Sequence, residues 1–256
     1  IVAATGLPKT TVFCRIRDIP LPPAVQERIR REKLAKLIVI ADARRGKCLP
    51  GREIVKPKEW SGNLIFLISH FMFDGSVNRH WCAYYNRSDF LIREMQRVMQ
   101  EVFGLHAHVR NRDFGVKQLA YFHVELAAYV QEKSMQLLSY LPRASVQERR
   151  VFLISFFDDE GCISAYGTRR CVRGYQHDPL ILHLVHDLLG DFGIESSVYL
   201  KEYQVTIRGK RNFIRFRDEI NFSKGVYINP HRKNSVWNKK LEKRKILDMA
   251  IASYKT

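Results

Sequence analysis

Two carboxylates, Asp74 and Glu160, stand 86 positions apart, and each directly precedes a glycine at the end of the same apolar phrase. Leu64–Ser76 reads LIFLISHFMFDGS and Arg150–Cys162 reads RVFLISFFDDEGC. Aligned on F-L-I-S, they share Phe66/Phe152, Leu67/Leu153, Ile68/Ile154, Ser69/Ser155, Phe71/Phe157 and Gly75/Gly161. Two such acids brought side by side repel each other unless a cation bridges them. A hard divalent ion with oxygen ligands, Mg²⁺ or Mn²⁺, is the natural bridge. Beside a cationic surface, that pairing suits phosphodiester hydrolysis, with the metal activating water and stabilising the leaving oxygen.

The elements that must position the acids can be read from the pattern around them. Each phrase is apolar almost all round, which predicts a buried helix. The economical way to bury both is against each other, with Ser69 and Ser155 permitting close approach. Gly75 and Gly161 are expected to let the chain turn out of each helix without a Cβ penalty. An acid at a helix C-terminus is opposed by the macrodipole, so its presence at both equivalent points favours a functional reason over a chance turn. An alignment slipped by one residue would make Asp159 the second acid instead.

The segments downstream of the two phrases repeat as well. An alternating segment comes first, Ser76–Tyr85 and Cys162–Arg170, and then a helical one, Asp89–Phe103 and Asp178–Phe192, closed by Gly104-Leu105 and Gly193-Ile194. Two more alternating stretches come next, His106–Arg112 with Lys117–Val124, and Ser197–Lys201 with Tyr203–Arg208, and a final helix closes each unit. The fold class is therefore α+β, two pseudo-symmetric αββαββα units. The predicted organisation is a short helical segment over 1–22, a basic helix and linker over 23–60, a first half over 61–146 and a second over 147–256.

Charge supplies the partner class. The 256 residues carry 43 Lys plus Arg against 26 Asp plus Glu, a formal net charge of +17 that invites a polyanion. The basic residues are spread along the chain rather than gathered on one amphipathic helix, which argues against a membrane surface, and no apolar run reaches the ~18 residues of a spanning helix. Five cysteines without a C-x-x-C pair read as free thiols of a reducing compartment, cytoplasmic or organellar. The chain starts at Ile1 with no leader pattern, which reads as a trimmed fragment.

Period-2 alternation then sorts the strands into a face toward the helices and a face toward nucleic acid. After Glu160, Ile163, Ala165 and Gly167 are expected inward and Ser164, Tyr166, Thr168 and Arg170 outward. In the later pair, Val198, Leu200, Val205 and Ile207 are expected inward, with Ser197, Tyr199, Lys201, Gln204, Thr206 and Arg208 outward. Ser76, Asn78, His80, His108, Arg110, Arg112 and Lys117 make the matching surface of the first half. Donors of these kinds suit base edges and phosphates. His183 and His186, three apart beside Asp187, lack a zinc complement and read as a partly buried helix face.

The repeated phrases resemble the LAGLIDADG motif of homing endonucleases, degenerate in Leu67–Gly75 and closer in Leu153–Gly161; the resemblance spans about Ser61 to Ala252. It implies a monomer whose saddle-shaped antiparallel sheet grips double-stranded DNA in the major groove and cleaves it with Mg²⁺. It also implies that Asp74 and Glu160 hold the metal. Met72 and Phe73 depart from the pattern, with bulk where small or acidic residues are usual. A basic residue near the last helix would polarise water or phosphate in such enzymes, a part that Lys233 could play, whereas in the first half Lys133 and Arg143 are weak candidates. The segment Ala4–Val12 resembles the turn and recognition helix of a helix-turn-helix unit, with Lys9, Thr10, Thr11 and Arg15 on its groove-reading face. Two rival readings share the fold: a non-cleaving DNA-binding regulator derived from it, and an RNA maturase.

Overall fold

The computed structural model describes residues 6–8, 10–12, 22–44, 54–167, 169–230, 237 and 239–254. The chain packs as two compact units, Ile1–Glu53 and Ile54–Thr256. In the first unit, α1 (Pro23–Arg44) is the expected basic helix. Its exposed face carries Arg28–Glu32 and Arg31–Glu27 pairs four residues apart, the spacing at which helix side chains meet.

The second unit contains the duplication. The first half runs α2 (Gly62–Phe73), β1 (Gly75–Val77), β2 (Cys82–Asn86), α3 (Asp89–Phe103), β3 (His108–Asn111), β4 (Lys117–Tyr121) and α4 (Val124–Tyr140). The second runs α5 (Val146–Asp159), β5 (Gly161–Tyr166), β6 (Arg169–Tyr175), α6 (Pro179–Asp191), β7 (Ser196–Tyr199), β8 (Gln204–Ile207) and α7 (Lys210–Glu219). Each half folds a four-stranded antiparallel sheet of the same order, β1-β2-β4-β3 and β5-β6-β8-β7. The second half also carries α8 (Lys243–Ala252), which packs on β5 and α7 and which the αββαββα pattern does not include. Among the described residues, no helix is long and apolar enough to cross a membrane.

The two motif helices pack against each other, as their all-round apolarity requires. Ser69 and Ser155 are fully buried in them, and Phe73 of α2 lies between Phe152 and Phe156 of α5, with ring centroids 5.7 and 5.3 Å apart. The bulk of Phe73 is thus spent in the helix interface. Local signals start the helices where the sequence places them. Ser61 accepts from the Leu64 N–H, and Ser145 and Glu148 form a reciprocal capping box on α5.

The motif glycines spare a Cβ penalty as expected, through close approach rather than through backbone conformation. Neither Gly75 nor Gly161 has a positive φ. What each requires is proximity: a Cβ at Gly75 would meet the Phe71 carbonyl oxygen at 2.2 Å, and one at Gly161 would meet that of Phe157 at 2.2 Å. The first strand of each half leaves so close to its helix that only hydrogen fits.

Candidate active site and nucleic-acid interface

Asp74 and Glu160 occupy equivalent places, the residue that caps each motif helix and opens the following strand. The Asp74 carbonyl accepts from the Tyr85 N–H at 3.0 Å and the Glu160 carbonyl from the Tyr175 N–H at 3.2 Å, so each acid is pinned to the second strand of its own sheet. Burial, then the charges of Asp159 and Glu160, push the Asp74 carboxyl up to about 8. Asp159 outranks Glu160 in that effect. Three carboxylates thus gather where the two helices end, and the partly buried Asp74 bears the cost.

Asp159 itself is committed to a network across the helix interface. Its side chain is fully buried, 2.6 Å from His70 Nδ1, and it accepts from the Tyr84 hydroxyl at 2.9 Å and from Asn86 Nδ2 at 3.0 Å. Burial pulls the His70 imidazole down, but the charge and hydrogen bond of Asp159, with Asp158 and Asp74 behind it, raise it on balance. Asn86 also donates to Asp74 Oδ2 at 3.2 Å, and its own carbonyl is held by the Ser88 N–H at 2.9 Å. One amide therefore touches an acid from each half.

Lys243 closes the other side. Its buried ammonium donates to the Phe157 and Asp158 carbonyls at 3.2 and 2.8 Å, the C-terminal end of α5, where the helix dipole favours a cation. Burial lowers the Lys243 ammonium, against the pull of Asp158, Asp159 and Asp74. Burial likewise raises the Asp158 carboxyl to about 6, opposed by the Ser223 N–H it accepts. Lys243→Met would leave those carbonyls and the Asp158 charge without their cation. The expected loss is roughly 3 kcal/mol of stability, read as a lower denaturation midpoint at unchanged slope; an unchanged midpoint would refute the assignment.

The strand parities hold in part. In the second sheet Cys162, Ser164, Tyr166, Arg173, Tyr175, Gln204, Thr206, Ser197 and Tyr199 share the face opposite Ile163, Val172 and Val205. Arg208 continues that face, its guanidinium 3.3 Å from the Tyr199 hydroxyl. Arg170 does not belong to it. Gly167, at φ +56, turns the hairpin so that Arg170 pairs with Ala165 on the helix side, donates to Ser253 Oγ at 2.6 Å and lies 4.9 Å from the Tyr254 ring. Arg173 takes the outward place, donating to Ser164 Oγ at 2.9 Å. Lys201 sits in the β7–β8 turn, and Leu200, expected inward, is exposed there.

In the first sheet Ser76, Tyr85, Gln118, His108 and Arg110 share the outward parity. Arg112 donates to Gln118, which donates to the Tyr85 hydroxyl. Lys117 is again a correction: it pairs with Asn86 on the helix side, and its ammonium lies 2.6 Å from Asp89. Asn78 and His80 form the β1–β2 turn, with the Asn78 side chain accepting the His80 N–H at 2.9 Å.

Lys133 packs over Trp60 at 4.8 Å and donates to the Lys58 carbonyl, a structural use of its charge. His186 lies 2.8 Å from Ser196 Oγ, and among the described residues no group of three or more His, Cys, Asp or Glu side chains could hold a metal. Cys82, Cys162 and Cys171 are free thiols. Thr10 and Thr11 fall in a single helical turn with Val12. Lys9, Arg15, Thr168 and Lys233 lie outside the described residues.

Residues 147–221 match the family model described as a LAGLIDADG-like domain. No curated protein sequence matches the chain. Among solved structures, mesophilic variants of the homing endonuclease I-DmoI superpose with a TM-score of 0.52 at 17% identity, over 64% of this chain and 92% of theirs. I-DmoI in complex with DNA and Mn gives 0.50 at 16% identity, over 62% and 96%. Full-length DUF199/WhiA from Thermatoga maritima gives 0.52 at 11% identity, over 78% of this chain and 63% of that one. At these identities the likeness is one of fold. With the duplicated helix-and-sheet units, it establishes that this chain has the LAGLIDADG fold and carries a LAGLIDADG-like domain at residues 147–221.

Proposed function

We propose that this protein binds double-stranded DNA along the outward faces of its two sheets and cleaves it by divalent-metal-dependent hydrolysis, acting as a monomer. One observation supports the reading: the ends of the paired helices form a buried acidic cluster, in which burial first, then the charges of Asp159 and Glu160, push Asp74 up to about 8. A divalent cation relieves that crowding. Asp74 and Glu160 would hold Mg²⁺ or Mn²⁺. Two carboxylates suit Mg²⁺, which keeps waters and takes substrate phosphate oxygens for its remaining positions. When bound, the ion supplies Lewis-acid activation of water and of the scissile phosphate.

The chain's own residues divide the remaining work. Asn86 holds Asp74 through Oδ2, and Asp159, tied to His70, fixes Asn86 from across the interface. Outward Arg110, Arg112, Arg173 and Arg208, with Ser164, Tyr166 and Tyr199, would meet phosphates and base edges, whereas Gln204 and Thr206 share that parity but are buried. On this reading the halves are 61–146 and 147–256, Lys9, Thr10, Thr11 and Arg15 of the helix-turn-helix-like segment would add contacts, and Lys233 would add a cation.

Glu160→Gln should leave DNA affinity largely intact and abolish nicking of a random-sequence plasmid library in Mg²⁺. Persistent cleavage would remove Glu160 from the reaction. A second reading, a non-cleaving DNA-binding protein, is favoured by the same Asp74 carboxyl, which at about 8 is mostly protonated at neutral pH unless a cation displaces the proton. Library binding without cleavage in either Mg²⁺ or Mn²⁺ would select it.

A further inference from the structure

The β3–β4 hairpin ends in a tight turn, Asp113–Gly115, whose middle residue is Phe114. The turn is closed by the Arg112 N–H on the Val116 carbonyl at 2.7 Å. Phe114 adopts φ +57, the left-handed region that bulky side chains avoid, and it is 90% exposed. An aromatic ring thus occupies a strained backbone position and stands in water, two departures from what stability alone would select. Strain of that kind, where it persists, is associated with binding and switching sites.

The equivalent tip of the second half shows what a satisfied version looks like. Tyr203, in the β7–β8 turn, has φ +52. Its half-exposed ring lies tilted against His177 with centroids 4.6 Å apart, and its carbonyl accepts the Gln176 N–H at 2.9 Å. The same backbone device therefore places an aromatic at both tips, and only the second is folded back onto its own half. The Phe114 carbonyl is gripped by Arg87 Nε at 3.1 Å, which fixes the tip and brings a guanidinium to it. Arg112 begins the turn and Arg110 lies two residues before that, on the outward parity.

The antiparallel order places this tip at the same strand end as the acids. Asn86 pairs with Lys117, and Lys117 with Asn111. Asn111 is thus two strand spacings, about 10 Å, across from Asn86, which itself touches Asp74, and the tip extends from that end of the sheet, where Arg87 reaches the Phe114 carbonyl. An exposed apolar ring flanked by cations, on the edge of a DNA-facing sheet, has the chemistry of a wedge that enters a base step while its neighbours hold the phosphates.

From the strained, exposed ring of Phe114, the Arg87 guanidinium bound to its carbonyl and Arg112 at the start of its turn, we infer that the β3–β4 tip inserts Phe114 into a base step of duplex DNA, unstacking it near the candidate active site. The inference rests on the DNA-binding reading above. Its partner is a nucleic-acid base step rather than a protein surface, because the ring stands among cations, and duplex DNA is the nucleic acid of the reading on which the inference rests.

The test starts with duplexes recovered by the wild-type protein from a random-sequence library, through which 2-aminopurine is then walked one position at a time. The wild type and Phe114→Trp should each brighten the probe at one step. Phe114→Asn, whose side chain tolerates the left-handed region, should lose that signal and bind roughly tenfold more weakly, the order expected for loss of one aromatic stack. Its melting temperature should be equal or higher, which separates a binding role from a structural one. A Phe114→Asn protein that keeps the unstacked step, or a wild type that binds without one, overturns the inference while leaving DNA binding standing. Recovery of no duplex by the wild type overturns both.

Discussion

Asp74→Asn is expected to raise thermal stability at pH 8 in metal-free buffer, while abolishing Mg²⁺-dependent cleavage. The folded carboxyl, crowded and buried, titrates near 8, and the unfolded one near 3.8. Between these values the folded state keeps a proton that the unfolded state has released. Stability is therefore full below the unfolded pKa, falls as pH climbs toward 8, and levels off beyond it. Asn has nothing to ionise and escapes the decline. At about 1.36 kcal/mol per pH unit, reduced for partial solvent access, the wild type should lose roughly 2–4 kcal/mol relative to the variant between pH 5 and pH 8. At roughly 2–4 °C per kcal/mol for a fold of this size, melting curves resolve that difference easily. Asp158, raised to about 6, bends both curves alike and cancels in the comparison. Added Mg²⁺ should restore the wild type at pH 8 and leave the variant unmoved. Parallel pH profiles for the two proteins would mean that Asp74 carries no such burden.

His70→Phe should be among the most damaging single changes in the motif helices. It keeps a ring beside Tyr84, whose centroid lies 5.3 Å away, but strands the buried Asp159 carboxylate with only the Tyr84 hydroxyl and the Asn86 amide. Breaking a buried ion pair from one side costs roughly 3–5 kcal/mol, or a drop on the order of 10 °C. Adding Asp159→Asn removes the orphaned charge while keeping a partner for Tyr84 and Asn86, so the double variant should recover more than half of the loss. Singles and double that simply add would show that the two side chains do not interact.

The architecture was readable because duplication prints itself twice. The F-L-I-S phrases, the acid-glycine endings and the Gly104 and Gly193 helix stops recur in order, and they place the helices and most strands within a few residues. Parity was readable within each strand but not across the Gly167 hairpin tip. Alternation carried across Gly167 puts Arg170 outward, but the length and hand of a turn decide the next strand's phase, and Arg173 takes that place. The parts of the acidic centre contributed from afar were not legible either. Asn86 and Lys243 look like ordinary polar residues in sequence, and only the strand pairing and the seating of α8 on β5 bring them to the acids. His70 carried a faint signal, as an imidazole where the twin phrase has Phe156, opposite an aspartate where the twin has Phe73.

That exchange has a consequence for how the halves choose each other. On one side of the motif helices Phe73 meets Phe156 at 5.3 Å, and on the other His70 meets Asp159 at 2.6 Å. Two copies of the first half mated in the same way would set His70 against Phe73, and two copies of the second would set Phe156 against a buried Asp159 with no imidazole to share its charge. Either self-pairing leaves a desolvated polar group stranded, which is a penalty of the kind that enforces partner choice. The repeat has thus become a lock with two unlike faces: each half is a poor mate for its own duplicate, and a single covalent chain is the arrangement that always supplies the right one.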